Sequence, residues 1–296
     1  MRRYMRIEVK PLVSLLVLLA LFSCAPKEIQ PPPKTVKIAL VLGAGAAKGF
    51  AHIGVIKVLE SNGIPVHMIV GTSAGSFVGS LYAYGFGSFE LQRLSFAIEQ
   101  NDIIDLTIPD NGFVKGEKLE GYINYILRNT PIEKLRIPFY AIATDIRTGR
   151  EVIFGSGNAG TAVRASCSVP GIFRPVTISG RTYVDGGVVS PVAVDAARRQ
   201  GADMVIAVDI AGDTDSAVPQ GTIETILQSI SIMYAKLSAA QLAKADVVIR
   251  PRVGSIGSAD FSKRHEAVLE GEKAALEALP KIQEIISKLK QEGRLH

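Results

Sequence analysis

Four short β-branched or apolar runs, residues 36–42, 66–70, 139–144 and 204–209, alternate with longer stretches of helical pattern, and that alternation commits the chain to α/β architecture. The runs are apolar almost throughout rather than at every second residue, which is the pattern of a parallel sheet covered on both faces. Helices are expected over 50–62, 74–84, 117–128 and 192–200, with Asn62-Gly63 and Gly85 as stops. Two more follow: 223–245, apolar enough to pack or to meet lipid, and 261–289, charged and placed to close one flank. No internal repeat or second tether interrupts residues 36–296, so they are expected to form a single domain.

The second run leads directly into Gly71-Thr72-Ser73-Ala74-Gly75, a serine between two glycines at the end of a buried strand. A strand that turns sharply into a helix crowds the backbone on both sides of the turn residue. Glycines relieve that crowding, and the serine hydroxyl projects outward as a nucleophile elbow. The helix starting at Ala74 also turns its free N–H groups toward the same point. The plain alternative is a serine that merely caps a helix after a tight turn.

The first run ends in Gly43-Ala44-Gly45-Ala46-Ala47-Lys48-Gly49, a loop of small residues whose amides can approach a ligand closely. Either a pyrophosphate or the oxyanion of an acyl-transfer intermediate would use such a loop. A dinucleotide site would want an acidic residue at the end of the next strand, where the chain has Val70-Gly71-Thr72, and no tyrosine has a lysine four places on. Adjacent parallel strands put their C-terminal loops side by side. The small-residue loop therefore belongs beside Ser73, as an oxyanion hole beside a nucleophile.

A serine hydroxyl needs a base. Of the four histidines, His52 and His67 fall in a helix and a strand as packed residues, His265 lies in a charged helix start, and His296 is terminal. The remaining candidate is Asp185 in Tyr183-Val184-Asp185-Gly186-Gly187, where two glycines allow the carboxylate to project from its backbone. A hairpin connection would use the same three residues. Cys167 is most simply a small core residue. No carboxylate and histidine cluster has ligand spacing, so no metal or other cofactor is expected, and Asp102 with Asp105 reads as a solvated helix end.

Together the three blocks resemble the patatin-like phospholipase family: a small-residue loop ending in Lys48-Gly49, an elbow at Gly71 to Gly75, and Asp185-Gly186-Gly187. The resemblance extends through Ala51-His52-Ile53-Gly54-Val55, Ala143-Thr144-Asp145, and the segment from Ala165-Ser166 to Phe173-Arg174-Pro175. It implies a three-layer α/β/α fold with a mainly parallel central sheet, and a serine acylhydrolase acting on phospholipid, lysophospholipid or simpler lipid esters. By the same resemblance the nucleophile falls on Ser73 and the base on Asp185, without a histidine. The oxyanion loop falls on Gly45, Ala46, Ala47 and Lys48, with amides near Gly45 and Ala46 as donors and Lys48 in the place of a basic residue. The chain departs from the glycine-rich form at Ala44 and Ala46. Alanine keeps its N–H but resists positive φ, so a shift in the loop's geometry is expected.

Residues 1–23 carry Arg2, Arg3, Arg6 and Lys10, then an apolar run too short to span a bilayer comfortably, which is the layout of a secretory leader. Cys24 directly follows and resembles the lipidated cysteine of bacterial lipoproteins; residues 24–35, with Pro31-Pro32-Pro33, read as a polyproline tether. A lipid anchor at the bacterial cell envelope is expected, on the outer membrane where the cell has one. Of the formal charge of +5, the leader accounts for +3, with four basic residues and one acidic, leaving +2. So slight a charge gives no reason to expect a nucleic-acid partner. Two rivals stay open: a triad of Ser73, Asp185 and His265, in the chain order of α/β-hydrolases, and a non-catalytic envelope protein that binds lipid or protein on the same fold.

Overall fold

The computed structural model describes residues 35–108, 111–211, 219 and 221–295; the expected leader, Cys24 and the tether up to residue 34, and His296 lie outside them. One sheet holds eight strands: β1 (Ile38–Leu42), β2 (Met68–Thr72), β3 (Phe139–Asp145), β4 (Arg150–Phe154), β5 (Val176–Ile178), β6 (Arg181–Asp185), β7 (Met204–Val208) and β8 (Val247–Ile249). Their order is β5-β6-β3-β2-β1-β7-β8, with β4 also paired to β3. From β3 through β8 every pairing on that path is parallel, whereas β4 and β6 run antiparallel to β3 and β5 antiparallel to β6.

Besides a single helical turn at Gln100–Ile103, the helices among the described residues are α1 (Ala51–Ser61), α2 (Ala74–Tyr84), α3 (Ser88–Ala97), α4 (Glu117–Ile126), α5 (Ala159–Ser166), α6 (Val194–Arg199), α7 (Thr222–Leu242) and α8 (Arg264–Gln291). They cover the sheet on both faces, giving the three layers. On β1, Ile38, Leu40 and Leu42 join one core with α1, α2, α4, α5 and α8, while Ala39 and Val41 join a second with α6 and the end of α7. Fully burying an Ile or Leu is worth about 1.5–3 kcal/mol. A one-residue slip of β1 would push three large side chains into the space of two small ones, so the register is fixed. On the thicker face α1 and α8 cross at glycines: a Cβ on Gly54 would lie 2.0 Å from the Val268 carbonyl oxygen, and one on Gly271 2.0 Å from that of Ala51.

The second run sits two residues later than its apolar pattern suggests, because Gly71 and Thr72 still pair with Ala141 and Ile142 of β3. The antiparallel strands β4, β5 and β6 and the three-residue β8 carry little apolar signal, being short or partly exposed. Asp105 is corrected: instead of ending a helix in solvent, its carboxylate accepts from the N–H groups of Gly116, Glu117 and Lys118 and so caps the start of α4. Helix α7 both packs and faces outward, burying Tyr234, Ser238 and Leu242 while exposing Ile223, Ile232, Met233 and Leu237. Among the described residues no helix is long and apolar enough to cross a membrane.

Candidate active site

Ser73 joins β2 to α2 with φ 53° and ψ −123°, a conformation that costs a non-glycine residue on the order of 1–3 kcal/mol. The surroundings enforce it. A Cβ on Gly71 would lie 2.5 Å from the Gly75 carbonyl oxygen, and one on Gly75 2.0 Å from that of Leu42, so both glycines are sterically required. The Ser73 N–H donates to Ser166 Oγ at 2.9 Å, and its carbonyl accepts from the N–H of Ser76 at 2.8 Å and from Ser76 Oγ at 2.7 Å. Beneath it, Thr72 Oγ1 donates to the Ser190 carbonyl at 3.0 Å.

Asp185 reaches the same place from the opposite direction. Thr72, the last residue of β2, pairs with Ile142 of β3, and Asp185, the last residue of β6, pairs with the next residue, Ala143. Since β4 pairs along residues 141–145 of β3, β2 and β6 share its other edge. One is parallel to β3 and the other antiparallel, so their C-terminal ends meet head to head. Thr144 Oγ1 donates to the Asp185 carbonyl at 2.9 Å, and the Asp185 N–H donates to the Ser168 carbonyl at 2.8 Å.

The carboxylate is held asymmetrically. Oδ1 accepts from the Gly187 N–H at 2.7 Å and from the Tyr234 hydroxyl at 3.1 Å, whereas Oδ2 is buried without a hydrogen-bond partner. Burial pushes the Asp185 pKa up to about 6, against hydrogen bonding from the Ser73 hydroxyl, the Gly187 N–H and Tyr234. The Ser73 hydroxyl thus bears on the carboxyl and favours its ionised form. With Asp185 wholly buried and Ser73 only 5% exposed, the pair sits where charge is poorly solvated.

The small-residue loop runs alongside, through a one-turn 3-10 helix over Ala46–Phe50. Ala46 takes φ 48° despite its Cβ, the conformation that alanine is expected to resist. The amides of Gly45 and Ala46 donate to no described residue, and both residues are partly exposed. The rest of the expected loop is otherwise engaged: the Ala47 N–H donates to the Ser258 carbonyl and the Lys48 N–H to that of Gly45, while the Lys48 side chain is 2% exposed. A Cβ on Gly49 would lie 2.6 Å from that of Ala74, so loop and elbow are in close contact. His52 Nε2 bonds to the Gly43 carbonyl at 2.9 Å, and burial drives its pKa down to about 4 despite that bond. At neutral pH it is an uncharged donor that fixes the first residue of the loop.

No described histidine bonds to Ser73 or Asp185. His67 Nδ1 accepts from the Ile38 N–H at 3.1 Å. His265 is exposed on α8, its ring 4.0 Å from that of Phe96 between centroids. Cys167 packs within the larger core, with Sγ 3.8 Å from Ser76 Oγ, and burial raises its thiol pKa. Two contributors escaped the sequence reasoning. Ser166, which anchors the elbow, lies in a segment already singled out, but Tyr234 comes from a helix that carried no catalytic signal.

A strained serine elbow, an aspartate meeting it head to head and a small-residue loop on a three-layer fold define the class of fold and site. Residues 40–198, more than half of the chain, match the model of the patatin-like phospholipase family, and the chain belongs to that family. It is 32% identical over 280 residues to a lysophospholipase NTE1 of Pyricularia oryzae, covering 83% of this chain and 19% of that protein. To an uncharacterized NTE family protein of Mycobacterium bovis it is 35% identical over 195 residues, 64% of this chain and 54% of the relative. The chain thus spans about a fifth of the fungal relative and about half of the mycobacterial one. The crystal structure of VipD from Legionella pneumophila superposes with a TM-score of 0.59 at 12% identity, over 88% of this chain and 72% of that one; the likeness is one of fold.

Proposed function

We propose that the chain is a serine acylhydrolase that cleaves the carboxylic ester of a phospholipid or lysophospholipid, with Ser73 as nucleophile and Asp185 as base. The observation that carries this reading is the meeting of β2 and β6 on one edge of β3, which sets a strained serine beside a buried carboxylate of raised pKa. Ser73 Oγ attacks the ester carbonyl carbon while its proton passes to Asp185 Oδ2, and the oxyanion accepts from the amides of Gly45 and Ala46. Collapse breaks the bond to the alcohol, which leaves with the proton returned by Asp185. Water then attacks the acyl-serine, Asp185 takes its proton, and the fatty acid departs as Ser73 regains its hydrogen. The family and the name of the fungal relative support a lipid ester as substrate.

A fluorophosphonate probe tests the nucleophile. It should label the protein at Ser73, and release of fatty acid from a lysophospholipid should stop as labelling completes. An unlabelled Ser73 in folded protein would favour the binding-protein alternative.

The same reading places residues 36–296 as one catalytic domain tethered through a lipidated Cys24 to a bacterial envelope membrane, so that anchor and substrate share a location. Its support is the basic and apolar leader before Cys24 and the prolines after it. Expressed in a bacterium fed radiolabelled palmitate, the chain should incorporate label and partition into the membrane fraction. Equal labelling of Cys24→Ser would discard the anchor.

A further inference from the structure

The Tyr234 hydroxyl donates to Asp185 Oδ1 at 3.1 Å, the side chain is 5% exposed, and it comes from α7, beyond the residues 40–198 matched by the family model. Its ring fixes the second glycine after Asp185. A Cβ on Gly187 would lie 2.3 Å from Tyr234 Cζ and 2.6 Å from its hydroxyl oxygen, so only a glycine there lets the ring lie against the turn. The same turn supplies the other donor to Oδ1, the Gly187 N–H at 2.7 Å. Both donors converge on one carboxylate oxygen and leave Oδ2 without a partner. A carboxylate with one oxygen held by two donors has its rotation fixed and keeps the lone pairs of the other oxygen available.

We infer that Tyr234 is a positioning residue for Asp185, holding Oδ1 so that Oδ2 is the oxygen presented to Ser73. The inference rests on the Ser73 and Asp185 dyad proposed above, and it gives α7 a part in the site. Among the described residues, the titratable groups interacting with the Asp185 carboxyl are Tyr234 from α7 and Cys167 from the end of α5. Burial foremost, with the neighbouring Asp185 charge, raises the pKa of both, so each stays protonated through the neutral range. The other carboxylates nearby in the sheet are engaged elsewhere: Glu151 of β4 with Ser190 and Arg199, and Asp145 of β3 with the N–H groups of Arg147 and Thr148. Tyr234 is therefore a constant donor while Asp185 titrates, and its bond favours the ionised carboxylate.

Tyr234→Phe removes this bond and leaves the ring on Gly187. The acid limb of kcat/KM for a p-nitrophenyl ester should move up by about one pH unit, giving about a tenfold loss at pH 5.5 and less than about twofold above pH 8.5. An unmoved limb, or an equal loss at every pH, would overturn the inference, the latter because it marks a purely structural role. A second readout needs no turnover. The acid-side rise in thermal midpoint contributed by Asp185 should shift upward in Tyr234→Phe by the same interval, and coincident curves would also overturn it. If Ser73→Ala keeps its activity, the dyad itself fails, while the thermal curves still judge the contact between Tyr234 and Asp185.

Discussion

Ser73→Ala and Asp185→Asn should each lower kcat/KM for a p-nitrophenyl ester by about 10⁴-fold, and the double variant should lose little more, because nucleophile and base act as one unit. The near-equality is the informative part. In a triad with an intervening histidine, removing the acid costs less than removing the serine. In the proposed dyad the carboxylate is the base itself. Its raised pKa of about 6 leaves about nine in ten molecules ionised at pH 7 while making the group a stronger base than an exposed aspartate. The rate should therefore fall on the acid side with a midpoint near pH 6. His265→Ala should turn over normally, given its surface position against Phe96. Activity within tenfold of wild type in Asp185→Asn would end the dyad model.

The second large effect concerns stability. Burial holds His52 at about 4, below its ordinary 6.5, so its contribution is present above pH 6.5 and is lost as pH falls through 4. Burial holds Asp185 at about 6, above its ordinary 3.8, so its contribution is present below pH 3.8 and is lost as pH rises through 6. Between pH 6.5 and 4 the two run in opposite directions, each by about 3 kcal/mol, and nearly cancel. Asp185→Asn removes one side of the balance. Denaturant unfolding of the variant should show an extra loss of about 3 kcal/mol over that interval relative to wild type, the other carboxyls being common to both. Parallel curves would contradict the opposed titrations.

The elements most legible in the sequence are those whose causes are local. The elbow can be read from five residues because the clashes that require Gly71 and Gly75 arise within the turn and with the neighbouring strand. The apolar runs announce β1, β2, β3 and β7 because they are buried on both faces. Asp185 is legible only in combination, since its meeting with Ser73 depends on an antiparallel strand sharing one edge of β3 with a parallel one, and β6 is partly exposed. Tyr234 is illegible for a plainer reason. On α7 it is one apolar helical residue among several, and the contact that distinguishes it is to a turn distant in the chain. Ala46 shows the reverse error: side-chain propensity argued against positive φ, and the packing of the loop overrode it.

The junction on β3 separates the spacing of the two reactive residues from the length of chain between them. Ile142 and Ala143 do no chemistry, yet as consecutive partners of Thr72 and Asp185 they act as a ruler. Whatever is inserted into the connections on either side of β3, the serine and the aspartate are returned to adjacent rungs of the same ladder. The covering helices and loops are thereby free to diverge while Ser73 and Asp185 stay in register.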